Sequence, residues 1–337
     1  MGYKIGSFNL RNLGLAAMGD SNERDLKLIA RIISKEKFDV VALQEVLSEG
    51  KAFLSPDYVK KSILMELGNN WGFAWADTES ELDMRHEGYA FLWNKRRLRL
   101  STAELEDRTI RTFYPRICRL NKKYMNRRPF YARFTPNETP EGGPFMELRL
   151  LCVHTYYGKD TKADREIRQK ELDVLMTDIY PQVADRVYKG NMPHYTLLMG
   201  DYNAELHRPW KDEMRKKENA KRLLQGKSPV AKPYSLRADS DDIVESSVWG
   251  KRRIKTVQDQ FTTLKSKDKD GQMTPDFEGR GYAHDYDHFS FEESQFEGVK
   301  MKAHRVDAVR KYCNDDFEQY LKKVSDHIPI MMEIELK

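Results

Sequence analysis

The chain is poor in cysteine, has no long apolar run, and carries no linker rich in proline, glycine or serine. Each absence removes a class of protein. The three cysteines, Cys118, Cys152 and Cys313, are scattered and odd in number. They argue against a disulfide framework or a zinc cluster and make a reducing cytosol the expected home. No stretch approaches the roughly 18 apolar residues that a membrane span needs. The first residues alternate from Lys4 to Asn9 as a strand does, without a signal peptide's charged end and apolar run. Gly6 stands where myristoylation of Gly2 would require Ser or Thr. With no repeat of fixed period and no low-complexity tract, residues 1–337 are expected to form a single domain.

What is present is a chain of 337 residues, 39% hydrophobic and 33% charged, long enough for a substantial core. Its net charge of +5 permits a polyanionic partner without requiring one. Apolar periodicity predicts helices over 21–35, 58–67, 161–179 and 208–225. Strands are predicted at 5–10, 39–45, 71–76, 88–94, 130–134, 146–154, 197–199, 258–264, 284–291, 306–309 and 328–336. Residues 228–242 read as loop and 266–271 as a polar turn.

Many of these strands begin or end on polar side chains: Asn9, Glu45, Glu87, His154, Asp201 with Asn203, Asp287, and Asp326 with His327. Alternate residues of an extended chain share a face, so Asp201 and Asn203 can enter one cleft. Taken alone, Gly-Asp-x-Asn is an ordinary turn, and a strand-end histidine such as His154 is unremarkable. Together the set has a chemical logic. Glu45, Asp326 and the carboxamide of Asn9 are the hard oxygen donors that Mg²⁺ or Mn²⁺ prefers, and no Cys-x-x-Cys pair offers zinc a home. Two acid/histidine pairs, Glu87 with His154 and Asp287 with His327, would orient imidazoles and raise their basicity. These are the parts needed for attack of water on a phosphoester.

Basic residues interleave with Phe113, Tyr114 and Tyr124 over 96–128, as either a solvated loop or a phosphate-binding groove edge. Arg127 and Arg128, just before a predicted strand, are the candidates for substrate phosphate contact. The cationic stretch 211–222 is interrupted by Asp212, Glu213 and Glu218 and reads as a solvated face. His284, His288 and His304 read as surface or packing residues, and alternation turns His86 away from the face of Glu87.

Ser7-Phe8-Asn9, Leu43-Gln44-Glu45-Val46, Glu87-Gly88-Tyr89, Val153-His154-Thr155, Gly200-Asp201-Tyr202-Asn203-Ala204, Tyr286-Asp287-His288 and Ser325-Asp326-His327-Ile328-Pro329 occur in this order along nearly the whole chain. This series resembles the ordered motifs of the endonuclease/exonuclease/phosphatase superfamily. The resemblance implies an α/β (α+β) fold, a four-layer sandwich of two packed mixed β-sheets flanked by helices. It also implies divalent-metal-dependent phosphoester hydrolysis, with Glu45 as principal metal ligand, Asn9 beside it, and Asp326 as the second metal-side carboxylate. By the same resemblance Asp201 and Asn203 position or activate water and contact the phosphate, while Asp287 orients His327. Asp285 competes with Asp287 for that place, although Tyr286 before Asp287 fits the apolar-then-Asp pattern better.

Glu87 and His154 resemble the DNase I-like members, because abasic-site endonucleases carry tyrosine where His154 falls. The signal peptide and disulfides of the secreted nucleases in that group have no counterpart here. The expected function is therefore a DNase I-like endonuclease or exonuclease with nucleic acid as substrate. The alternative is a phosphatase or phosphodiesterase for an inositol phosphate, a phosphoinositide or a sphingomyelin-like headgroup. The tryptophan-cysteine-aspartate-arginine signature of the phosphoinositide enzymes is missing at Asp287. A catalytically dead binding module would need a lost core residue, and none of the core positions is lost.

Overall fold

The structure, a computed structural model, describes residues 2–13, 24–47, 56–80, 87–101, 115–137, 145–188, 192–206, 209–229, 235–236, 252, 254–258, 260–265 and 281–336. The predicted turn at 266–271, most of the loop at 228–242, and His86, Phe113, Tyr114 and Arg208 lie outside the described residues.

The first sheet contains β1 (Gly2–Leu13), β2 (Val40–Leu47), β3 (Trp71–Asp77), β4 (Glu87–Asn94), β14 (Lys300–Arg305) and β15 (Ile330–Glu335). Their order is β14-β15-β1-β2-β4-β3. The second contains β5 (Leu98–Leu100), β6 (Arg116–Ile117), β7 (Phe130–Pro136), β8 (Glu147–His154), β9 (His194–Asp201), β12 (Ile254–Val257) and β13 (Asp287–Glu292). It is ordered β12-β13-β9-β8-β7-β5, with β6 also on β7. A short parallel ladder joins β10 (Glu205–Leu206) to β11 (Ser235–Leu236). Both sheets are mixed: β1 runs parallel to β2 and β8 parallel to β9, while the remaining pairs are antiparallel.

Strand alternation distributes apolar side chains to two layers. Val40 and Ala42 face the opposing sheet and meet Phe130, Leu150, Leu197 and Met199 there. Val41 and Leu43 face outward onto helices α1 (Leu26–Lys35), α2 (Pro56–Leu67), α6 (Ala308–Cys313) and α7 (Phe317–Lys323). On the far side, Leu151, Val153 and Leu198 pack against α3 (Lys162–Val174) and α4 (Tyr180–Ala184). The last long helix, α5 (Pro209–Leu224), follows β10. The result is the four-layer sandwich, helices outside two face-packed sheets. No helix among the described residues is long and apolar enough to cross a membrane.

Three local expectations need correction. Residues 306–309 are not a strand: Asp307 caps Arg310 N and starts α6 at Ala308. The helix expected to stop at 179 continues through a π turn, Leu175–Ile179, into α4. The run 258–264 is not a continuous strand, because Gln258 adopts φ +77° and turns its amide back to the Asp287 carbonyl. Thr263 and Leu264 instead make isolated bridges to His327 and Tyr282. The three cysteines are buried and free.

Candidate active site

The strand ends converge at one end of the sandwich, around a cleft of about 980 Å³. Glu45, Glu87, Arg127, His154, Asp201, Asn203, Asp326 and His327 all line it. Two ladders break to make this possible. The pairing of β1 with β2 shifts register between Asn9 and Leu13, and that of β2 with β4 shifts between Leu43 and Val46. Glu45 sits in the second break with φ +56°. Such a bulge re-aims a side chain that strict alternation would place elsewhere.

Asn9 is the hub. Its Nδ2 donates to Glu45 Oε1 at 3.0 Å and to Asp201 Oδ2 at 2.9 Å, and its Oδ1 accepts from Arg11 N at 2.9 Å. The backbone carbonyl of Asn9 accepts from Ser325 Oγ at 2.7 Å, tying the Asp326–His327 segment to the first strand. Glu45 Oε2 accepts from Asn12 N at 2.9 Å. Asp326 lies 3.3 Å from Arg11 Nε, an ion pair at the cleft wall.

Asp201 Oδ2 stands between two imidazoles, 3.6 Å from His154 Nε2 and 3.5 Å from His327 Nε2. Each imidazole turns its other nitrogen to a carboxylate. His154 Nδ1 is 2.5 Å from Glu87 Oε1, and His327 Nδ1 is 2.7 Å from Asp287 Oδ2. These contacts place the ring proton on Nδ1 and direct Nε2 toward Asp201. Asp287 Oδ2 also accepts from Thr262 Oγ1 at 2.6 Å. Asp285 points elsewhere, toward Leu206 N at 3.4 Å, so Asp287 is the partner of His327. Asn203, at φ +48°, donates its N–H to Asp201 Oδ1 at 2.8 Å and its Nδ2 to the Thr155 carbonyl at 2.8 Å.

The two histidines are held in opposite states. Burial, reinforced by Arg127, pushes His154 down to about 4, against the pull of Asp201 and Glu45. Arg127 does so as a like charge near the imidazolium, held in place by its ion pair with Glu87 Oε2 at 2.7 Å. For His327 burial acts downward too, but Asp287, Asp201 and Asp326 outweigh it and hold the ring well above the usual range. Groups of one kind pushed apart in this way divide acid and base roles between them.

The two arginines part company. Arg127 reaches the cleft, whereas Arg128 is buried and paired with Glu79. The expectation of Arg128 as a phosphate contact is therefore corrected: of the two, Arg127 lines the cleft and Arg128 does not. His288 is fully buried between the carbonyls of Gln258 and Ala204, a packing role as expected. His284, expected at the surface or in packing, instead lines the cleft with Tyr286, Tyr157 and Arg11. Alternation within the His284-Asp285-Tyr286-Asp287 run carried a usable signal, since positions 284 and 286 share a face.

Among the described residues no three His, Cys, Asp or Glu side chains close into a ready metal cage. The donor set still suits a hard cation. Mg²⁺ is commonly held by one or two carboxylates with water and substrate oxygens completing its shell. Burial raises the Glu45 carboxyl, and Glu87 and Asp326 add to the rise while His154 and Asn9 oppose it. A cation there would relieve that crowding of negative charge.

Residues 6–266 match the Endonuclease/Exonuclease/phosphatase family profile. The chain belongs to that family, whose members are phosphoester hydrolases that generally use a divalent metal. Its fold is DNase I-like. Among solved structures it is similar to ANGEL2, a 2',3'-cyclic phosphatase crystallised with adenosine-2',3'-vanadate. The TM-score is 0.51 at 13% identity, covering 99% of this chain and 95% of that one. It is also similar to endonuclease/exonuclease/phosphatase family proteins of Bacteroides thetaiotaomicron and Bacteroides vulgatus. Both give a TM-score of 0.50, at 12% and 11% identity, covering 100% of this chain and 99% and 100% of theirs. No curated protein sequence matches.

Proposed function

We propose that the protein, as one catalytic domain, hydrolyses phosphodiester bonds of nucleic acid in the manner of a DNase I-like endonuclease or exonuclease. The observation that carries this reading is Asp201 Oδ2, set 3.6 and 3.5 Å from the Nε2 atoms of two carboxylate-oriented histidines. Glu45, with Asn9 and Asp326, would hold Mg²⁺ or Mn²⁺. When bound, that ion supplies charge to offset the phosphoryl oxygens.

The chain's own groups do the rest. Asp201, kept in place by Asn9 Nδ2 and Asn203 N, accepts a proton from the attacking water. Asn203 holds the phosphate beside it. His327, kept cationic by Asp287, hydrogen-bonds a phosphoryl oxygen as negative charge builds there. His154, held neutral and with its Nδ1 proton toward Glu87, presents an Nε2 lone pair on the other side that can accept a proton from water, and Arg127 adds a fixed positive charge at the wall.

Hydrolysis of a small phosphoester is the second reading, because a cleft of about 980 Å³ is large enough to enclose a whole small ligand. Tyr157, 41% exposed at the cleft, favours nucleic acid by offering a ring for a base. The test sets plasmid nicking and oligonucleotide cleavage in Mg²⁺ beside phosphate release from inositol phosphates. Nucleic acid is expected to be cut, with activity lost in chelator and in Asp201→Ala and His327→Ala. Undiminished hydrolysis in those variants sinks the site; turnover of the small ester alone sinks the nuclease.

A further inference from the structure

A third histidine in the cleft is built like the first two. Glu205, 1% exposed, accepts from Arg215 Nη2 at 3.1 Å through Oε2 and meets His284 Nδ1 at 2.7 Å through Oε1. The carboxylate therefore fixes the His284 proton on Nδ1 and leaves Nε2 on the opposite edge. The ring stacks face to face on Tyr286, with centroids 4.8 Å apart and planes 4° from parallel. Its backbone is locked as well, for the His284 carbonyl accepts from Thr262 N and Thr263 N, and His284 N donates to Thr263 Oγ1. The side chain keeps 23% exposure, at the cleft. A merely space-filling histidine would not need a buried carboxylate shared with a buried arginine to set its tautomer.

The position of this ring in the cleft indicates what it meets. The catalytic floor is crowded with carboxylates, Glu45, Glu87, Asp201 and Asp326. His284 stands on a separate wall, the ribbon formed where Ala283 N donates to the Thr263 carbonyl and Lys265 N to the Gly281 carbonyl. That ribbon also brings Lys265 to the cleft. A single phosphate is accounted for at the floor by His327 and Asn203. The ribbon wall adds the His284 imidazole to the cleft lining apart from the carboxylate floor, a placement that suits a second anionic oxygen cluster.

We infer that His284 is a substrate-positioning residue that, as the imidazolium with its Nδ1–H held by Glu205, donates its Nε2–H to a second, non-reacting phosphate flanking the one that is hydrolysed. Glu205 acts through it, by orienting the ring. The inference rests on the nucleic-acid reading for its biological meaning, since a polynucleotide carries a flanking phosphate on every internal linkage.

Titration calorimetry on the whole protein in Mg²⁺ buffer tests it independently of turnover, with adenosine 3',5'-bisphosphate and adenosine 5'-monophosphate as probes. Wild type is expected to favour the bisphosphate by roughly tenfold, the scale of one hydrogen bond to a charged group. His284→Ala should bring the ratio near one. His284→Gln, which keeps a polar atom near the Nε2 position, should retain part of it, and Glu205→Gln should give an intermediate ratio. Melting curves establish that each variant is folded.

A wild type without preference overturns the inference. So does a His284→Ala protein that keeps the preference, or one that loses affinity for both nucleotides equally. Failure of the parent reading looks different: a protein that cuts no nucleic acid yet prefers the bisphosphate keeps the second phosphate site and loses only the nuclease.

Discussion

Asn9→Asp is the most revealing single change, because it alters two atoms' chemistry and almost no volume. In the native site the Asn9 amide donates to the carboxylates of Glu45 and Asp201 at 3.0 and 2.9 Å. Replacing that NH₂ by a carboxylate oxygen removes two hydrogen bonds to charged acceptors, each worth about 1.5–3 kcal/mol. It also sets three carboxylates against one another at contact distance. The repulsion has a ceiling, for the new aspartate can take up a proton. Doing so near neutral pH costs about 4 kcal/mol from an ordinary aspartate pKa, and the resulting O–H restores only one of the two donors. The expected loss of unfolding free energy is thus about 3–7 kcal/mol, a large part of a typical domain's stability. Urea unfolding in chelator reads it, and a divalent cation should return part of the loss by neutralising the crowded carboxylates. A change below about 1 kcal/mol in chelator would falsify the hub role of Asn9.

Other perturbations follow from the same geometry. Gly200 has φ +147°, and a Cβ there would lie 1.9 Å from the Val153 carbonyl oxygen on the neighbouring parallel strand. Gly200→Ala should therefore destabilise the protein by about 3 kcal/mol or more and displace Asp201, read by thermal melting and turnover. Arg127→Ala takes the cation from Glu87 Oε2, leaving that buried carboxylate to His154 Nδ1, and should lower kcat/KM by roughly tenfold or more. Arg128→Ala, which strips Glu79 instead, should lower Tm while kcat/KM of the folded enzyme stays within about threefold, under 1 kcal/mol. Equal kinetic losses in the two would refute the separation. Burial pushes Glu171 up to about 7 even though it accepts from Asn126 N and Tyr156 N. A carboxyl raised in the folded state binds its proton more tightly there, so its stabilisation is full below about pH 4.5 and lost as pH rises through 7. Between those limits wild type should lose roughly 3 kcal/mol relative to Glu171→Gln; parallel stability curves would contradict this.

Much of this was legible in the sequence because strands write their faces at period two. Asn9, Asp201 and Asp287 could be placed from alternation and from polar residues ending apolar runs, and their order carried the fold, whereas Asn203 leaves the strand with φ +48°. Glu45 could be named but its geometry could not, since it depends on a register break that only pairing with β4 creates. The short run at 306–309 has the apolar content of either element, and its fate was decided by the Asp307 cap. The helix after 161 runs past its expected end because the π turn Leu175–Ile179 carries the chain on to Pro181 at the start of α4. His284 was undervalued for a different reason. Its orienting partner Glu205 lies 79 residues away and belongs to no recognisable spacing.

The placement of the pairs explains why two sheets are needed at all. Asn9 on β1 reaches Asp201 on β9; Glu87 on β4 meets His154 at the end of β8; His327, just before β15, meets Asp287 on β13. In each case one partner comes from the first sheet and the other from the second. The site is therefore the polar end of the same seam whose interior is Val40, Ala42, Phe130, Leu150, Leu197 and Met199. Packing at that seam sets the spacing between sheets, and the spacing sets all three pairs together. Because well-packed cores resist compression and shear, Asp201 stays between its two imidazoles without any one hydrogen bond having to hold it there. A displacement of about 1 Å at the reacting groups can cost about a hundredfold in rate, so the apolar layer is as much a determinant of catalysis as the residues it carries.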